Sequence, residues 1–351
     1  LRIAYLFEPT KEVGSSNQAI TLSRNWDELI PLSSSPIQGD PKEGTAEVNT
    51  NAFGKLHYPI KSPLIGLETL DPDICFIHTL SDPILSHIQE ISSRWPTALR
   101  LGINPMEWWL SSGWHNKIPK LLTLLDWVDC VICPSELIKS NLEAMGLKNC
   151  VYIPSCVDLG EWELADPEGN LVVSIGRVSQ IKNHLYAAFA MRRVWHWVPG
   201  VTYKVYGTGR MLKSLRNVIK VQGSQPWMSL EGFKDAREVL PKAKVFLQTS
   251  ISENMSLSVL ESCASGVPVV ATRIGGHTVG QVSHESVKEI ADEVERHLTD
   301  RDYWEERRDE CLEKAKEYDV GRILPQYKEL FETLARLDEF KEESRRLEVP
   351  A

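Results

Sequence analysis

The chain has 351 residues, with 39 Lys and Arg against 48 Asp and Glu and a pI of about 5.6. No apolar run approaches the ~18 residues of a membrane span, which excludes an integral helical membrane protein. The net charge of −9 argues against a main task of coating nucleic acid or an anionic membrane.

In chain order, short apolar runs alternate with amphipathic stretches of period near 3.6. The opening run at 1–6 reads as a strand rather than a secretory leader, and no initiator Met precedes it. Strands are predicted at 3–7, 74–77, 98–103, 130–133 and 151–153, then at 171–175, 202–206, 245–248 and 268–271. Such alternation predicts βαβ units and parallel sheets. Residues 33–61, rich in Ser, Pro, Gly, Asn and Thr, read as a long surface excursion. The pattern breaks at 155–170, around Gly160, Pro167 and Gly169, and restarts at Leu171. The expected fold class is therefore α/β, with two Rossmann-like doubly wound domains facing a cleft. The first domain is placed at 1–158 and the second at 159–324. Over 325–351 an amphipathic helix carries Tyr327, Leu330, Phe331 and Leu334. Ligands of such sheets lie outside the carboxyl ends of the strands.

Seven cysteines, odd in number and scattered, read as packed thiols in a reducing, cytoplasmic compartment. Cys130-Val131-Ile132-Cys133 matches C-x-x-C in form. It lies in a predicted strand, where positions i and i+3 point to opposite faces, and no second pair completes a zinc site. No metal site and no bound cofactor are predicted.

Chemistry concentrates in the second half. Gly176-Arg177 follows a buried strand, and Lys182-Asn183 follows five residues later. The glycine lets backbone approach a ligand, and two cations beside a strand end suit a diphosphate, although taken alone they read rather as two solvated surface cations. Tyr206-Gly207-Thr208-Gly209 ends another strand and is a fragment of a phosphate loop. Ser229-Leu230-Glu231-Gly232-Phe233 precedes a helix. Thr249 to Glu261 then runs from strand end into helix, where Asn254, Met255, Ser256 and Leu257 offer backbone N–H groups at a helix N-terminus, a ready anion site. Glu253 lies in the loop before it and Glu261 one to two turns along it, so two carboxylates can bracket one ligand. Glu261 adjoins Cys263-Ala264-Ser265-Gly266, a small-residue helix end that packs closely, and a carboxylate there needs a partner.

Gly176-Arg177, Lys182-Asn183, Gly207 with Gly209, Glu253-x7-Glu261, then Gly266-Val267-Pro268-Val269-Val270-Ala271 and Gly275-Gly276 resemble the retaining glycosyltransferases of family GT4, which have the GT-B fold. The resemblance runs from about residue 170 to 276. Gly14-Ser15-Ser16 is similar to the family's glycine-rich loop after the first strand. The resemblance implies that Arg177 and Lys182 hold the diphosphate of a nucleotide sugar and that Glu261 holds the ribose. It further implies that Glu253 and the amides of 254–257 hold the transferred sugar, with the base near Ser229–Phe233. Transfer would retain anomeric configuration and need no metal, the fixed cations replacing a divalent ion.

Three departures accompany it. No His stands in Leu101-Gly102-Ile103-Asn104-Pro105-Met106-Glu107, where the family often has one; Asn104 or Glu107 could stand in, and His78 follows a different strand. The family's Gly-Phe-Gly-like triplet is here Asn254-Met255-Ser256. Gly276 is followed at once by a short stretch and a helix.

The acceptor is unidentified: a glycan, a lipid-linked sugar, a small molecule or modified DNA. Residues 1–158 hold 12 Lys and Arg against 18 Asp and Glu, which weakens a membrane or nucleic-acid acceptor, and one basic aromatic cluster runs from Trp108 to Lys120. Competing readings are a nucleotide-sugar epimerase and a non-catalytic nucleotide-sugar binder on the same fold.

Overall fold

The computed structural model describes residues 1–6, 18, 21–33, 58–59, 63–78, 84, 86–101, 118–274, 281–283 and 286–347. They divide into two units, Leu1–Ser155 with Val320–Ala351, and Cys156–Asp319. The two chain crossings lie side by side: Val157 N–H donates to the Tyr318 carbonyl (3.0 Å), and Leu159 N–H to the Asp319 carboxylate (3.2 Å).

Unit 1 contains β1 (Ile3–Leu6), β2 (Leu29–Ser33), β3 (Tyr58–Pro59), α1 (Pro63–Leu70), β4 (Ile74–Ile77), α2 (Ile88–Arg94), β5 (Thr97–Arg100), α3 (Ile118–Asp126), β6 (Cys130–Cys133), α4 (Glu136–Ala144) and β7 (Cys150–Tyr152). All pairings are parallel, in the order β3-β2-β1-β4-β5-β6-β7. The central strands are apolar throughout because helices cover both faces. The excursion expected over 33–61 contributes the edge pairing of β2 with β3, including Ser33↔Pro59; proline suits an edge, where its missing N–H is not needed.

The last helix, α11 (Val320–Leu347), returns to unit 1 and begins five residues before the start expected from sequence. Its Phe331 ring lies 5.1 Å from both Trp26 and Phe76, and Tyr327 sits 5.8 Å from Phe76. Truncating a buried aromatic of this kind costs about 3–5 kcal/mol, so α11 is part of that core.

Unit 2 contains β8 (Leu171–Ile175), α5 (His184–Trp197), β9 (Thr202–Tyr206), α6 (Leu212–Gln222), β10 (Met228–Gly232), α7 (Ala236–Val239), β11 (Val245–Gln248), α8 (Leu257–Ala264), β12 (Val269–Ala271), β13 (Gln281–Ser283), α9 (Val287–Thr299) and α10 (Arg301–Glu317). The parallel order is β10-β9-β8-β11-β12-β13. One apolar layer packs α5, α6 and α9 on one face; the other packs α7, α8 and α10. All seven cysteines are free thiols, and among the described residues no group of three metal-ligating side chains converges.

Candidate functional site

The strand order of unit 2 reverses between β8 and β11, which is where an open parallel sheet leaves a crevice. The loops leaving those two strands carry Arg177 with Lys182 and Glu253 with Asn254–Ser256, respectively.

Backbone contacts interlock the strand ends. Gly176 N–H donates to the Tyr206 carbonyl (2.9 Å), Val178 N–H to Thr208 (2.8 Å), and Gly207 N–H to Gly232 (2.6 Å). A Cβ on Gly207 (φ 147°) would sit 1.9 Å from the Gly176 carbonyl oxygen, and one on Gly209 (φ 152°) 2.4 Å from that of Val178. These glycines therefore let the β9 loop lie against the β8 loop that presents Arg177. Gly207→Ala should destabilise unit 2 by about 3 kcal/mol or more, combining overpacking with backbone strain. Gly200→Ala, at φ 72° with no atom in the way, should lose only the strain. Urea midpoints of the two variants check this, and equal losses would contradict it.

The Lys182 loop is held from β11. Thr249 Oγ1 donates to the Asn183 carbonyl (2.9 Å), Ile251 N–H donates to that of Ile181 (2.8 Å), and Asn183 adopts the left-handed conformation (φ 49°). Lys182 Nζ thereby reaches Glu253 Oε1 in a partly buried ion pair, and Ser250 Oγ donates to the same oxygen (2.7 Å). The two residues assigned from sequence to diphosphate and to sugar thus meet directly.

Helix α8 starts behind them. Its N-cap residue, Ser256, makes no capping bond; the hydroxyl goes instead to Gln248 Oε1 (2.9 Å). The first-turn N–H groups have no side-chain cap, which leaves an N-terminus suited to an anion. Glu261 lies further along α8, 7% exposed, in the electrostatic reach of Arg237, which itself bridges Glu161 (3.1 Å) and Asp235 (2.6 Å). Gly232 ends β10 with φ 74°, followed by exposed Phe233.

His184, which sequence reasoning passed over, opens α5 and hydrogen-bonds to the Arg177 backbone. Burial, and next the charge of Lys182, push its imidazole down to about 4. The unfolded chain, with an ordinary value of 6.5, binds a proton that the folded one refuses between pH 6.5 and 4. Stability should therefore fall as pH drops through that window, by roughly 2 kcal/mol at pH 5. Denaturant midpoints at pH 7 and pH 5 for the wild type and His184→Asn test this; an unchanged pH difference in the variant would assign the effect elsewhere.

In unit 1, His78 follows β4, is buried, and lies with Nδ1 2.6 Å from the Tyr5 hydroxyl. Buried Arg100 ends β5 and donates to Ser155 Oγ (2.6 Å). Gly14, Ser15, Asn104 and Glu107, and the aromatic cluster from Trp108 to Lys117, lie outside the described residues.

Residues 169–300 match the model of the family described as Glycosyl transferases group 1. Among curated proteins, the chain is similar to the GtfA subunit of the UDP-N-acetylglucosamine–peptide N-acetylglucosaminyltransferase of Streptococcus pneumoniae, with 21% identity over 45% of this chain and 33% of that protein. It is also similar to alpha-monoglucosyldiacylglycerol synthase from the same species, with 28% identity over 41% of this chain and 37% of that one. The chain spans about a third of the length of these curated relatives. A crystal structure of Anabaena HepE in complex with UDP-glucose superposes with a TM-score of 0.79 at 17% identity, covering 94% of this chain and 99% of that one. The two doubly wound units are those of the GT-B fold.

Proposed function

We propose that this GT-B glycosyltransferase moves a sugar from a nucleoside diphosphate sugar to an acceptor hydroxyl, with retention at the anomeric carbon and without a divalent ion. The observation that carries the reading is the meeting of Lys182, Glu253 and the uncapped start of α8 at the switch point between β8 and β11. In this reading Arg177 and Lys182 hold the diphosphate. The amides of Asn254–Leu257 lie against phosphate and sugar, and Glu261 takes the ribose hydroxyls. Glu253 neutralises Lys182 in their ion pair. An incoming diphosphate competes for that ammonium and frees the Glu253 carboxylate to accept from hydroxyls of the transferred sugar.

Breaking the anomeric C–O bond leaves charge on the diphosphate. Fixed cations and helix amides stabilise it without reorganising, which is the efficient form of electrostatic catalysis. A phosphate oxygen then takes the acceptor proton on the same face, and configuration is kept. Uridine is the first base to test, because the similar HepE structure holds UDP-glucose. The two curated relatives are named for different chemistry, a peptide N-acetylglucosaminyltransferase subunit and a monoglucosyldiacylglycerol synthase, so peptide and lipid acceptors are both to be tested. Free thiols throughout suit a reducing, cytoplasmic setting.

The reading is tested with donor and EDTA: turnover should persist under chelation, and proton NMR should show the product with the donor's anomeric configuration. Activity abolished by EDTA and restored by Mn²⁺, or an inverted product, would overturn it.

A further inference from the structure

From Gly169 to Leu230 the chain contains no Asp or Glu at all, against nine Lys and Arg; with −9 overall, the remainder carries −18. Arg177, Lys182 and Arg210 sit at the strand ends of the crevice already described, and Lys204 lies within β9. The other five, Arg192, Arg193, Lys213, Arg216 and Lys220, lie on α5 and α6. Among the described residues none of these five pairs with a carboxylate. On α9 and α10 of the same unit, by contrast, several cations are balanced by acids one turn away, as in Lys288–Asp292, Arg301–Glu305, Arg307–Glu310 and Lys314–Glu317. Among the described residues, α5 and α6 thus carry five cations with no acid on either helix to balance them.

The same pair carries exposed apolar groups. Phe189, Arg192, Arg193, His196 and Trp197 recur at helical spacing along α5, with the Arg193 guanidinium 5.1 Å from the Trp197 ring. Trp195 is exposed on one side and stacked at 5.7 Å on Trp227 on the other. Val221, just after Lys220, is 86% exposed. Both helices join parallel strands and share one core layer, so both run back from the crevice end of the sheet. Their last turns, with Trp195, Trp197, Lys220 and Val221, therefore lie at the opposite end.

We propose that the outer face of α5 and α6 is a docking surface for an anionic phospholipid bilayer. Cations answer the lipid phosphates. Tryptophan rings and an exposed valine have no use for phosphate and gain by entering the headgroup and acyl boundary. A nucleic acid would satisfy the charges but leave Val221 and Phe189 in water. No helix of the described residues is long and apolar enough to cross a membrane, so the association is peripheral, and it keeps the crevice end of unit 2 turned away from the lipid. The net charge of −9 and the acid-rich first half, which argued against a membrane, average over the acid-free stretch that carries this face.

The test is co-sedimentation of the full chain with vesicles of phosphatidylcholine alone or with 30% phosphatidylglycerol. Binding is expected only to the anionic vesicles, falling steeply between 50 and 300 mM salt, with each surface cation contributing about fivefold. Lys213→Glu/Arg216→Glu/Lys220→Glu should abolish it, and Trp195→Ala/Trp197→Ala should weaken it tenfold or more. Because Trp195 stacks on Trp227, circular dichroism and UDP binding verify that each variant is folded. No binding to anionic vesicles at low salt, equal binding to neutral vesicles, or full binding by the folded charge-reversal variant would each overturn the proposal. So would tighter binding to a DNA duplex that the same reversal removes.

Discussion

Replacing Arg177 and Lys182 together by alanine should lower kcat by on the order of 10²-fold or more while leaving unit 2 folded, because the fixed charge that meets the departing diphosphate is gone. The structure adds a second consequence. Lys182→Ala removes a partly buried ion-pair partner of Glu253, whose carboxylate also accepts from Ser250. Some loss of stability should accompany the loss of turnover. Far-UV circular dichroism and a urea midpoint separate the two effects. The single Lys182→Ala variant should lose more stability than Arg177→Ala, since Arg177 is exposed and Lys182 is partly buried in its pair. Near-normal turnover in the folded double variant would remove both residues from the reaction.

The two carboxylates should separate just as clearly. Glu261→Gln should weaken donor binding by roughly 10- to 150-fold, the equivalent of a charge-assisted hydrogen bond of about 1.5–3 kcal/mol. Glu261 is buried on α8 within electrostatic reach of Arg237, so its carboxylate is held in place rather than free to wander. Glu253→Gln should lower kcat and leave affinity for the bare nucleoside diphosphate unchanged or improved, since Lys182 no longer has to leave a carboxylate. Calorimetric titration of both variants with UDP decides the matter. If Glu253→Gln loses nucleotide affinity and Glu261→Gln keeps it, the donor lies in the reverse sense along α8.

Much of this arrangement was legible in the chain. Strands β8 and β11 are nearly continuous apolar runs because both faces are covered, and the E-x7-E spacing with its downstream Gly266-Val267-Pro268 placed the second carboxylate on a helix. Strand β10 was missed: its Ser229, Glu231 and Gly232 belong to an edge strand that is only half covered, so no apolar run marks it. Strand β2 escaped because Pro31 interrupts its apolar run, and β3 because it is a two-residue edge strand ending in Pro59. The Lys182–Glu253 pair could not be read from spacing, because 71 residues separate its members and only the adjacency of β8 and β11 joins them. Gly207 and Gly209 looked like part of a phosphate loop; what the structure requires of them is room for a neighbouring backbone. The acid-free stretch was visible throughout, but it becomes a surface only once α5 and α6 are known to share one face.

The central claim is that the crevice between β8 and β11 takes a nucleoside diphosphate sugar, and chemical denaturation in the presence of candidate donors tests it most directly. A nucleotide sugar at 100 times its Kd should stabilise the wild type by about 2.7 kcal/mol. The same concentration should leave Arg177→Ala/Lys182→Ala almost unmoved. Equal stabilisation of the wild type and the double variant, or no stabilisation of the wild type by any nucleotide sugar, would contradict the account.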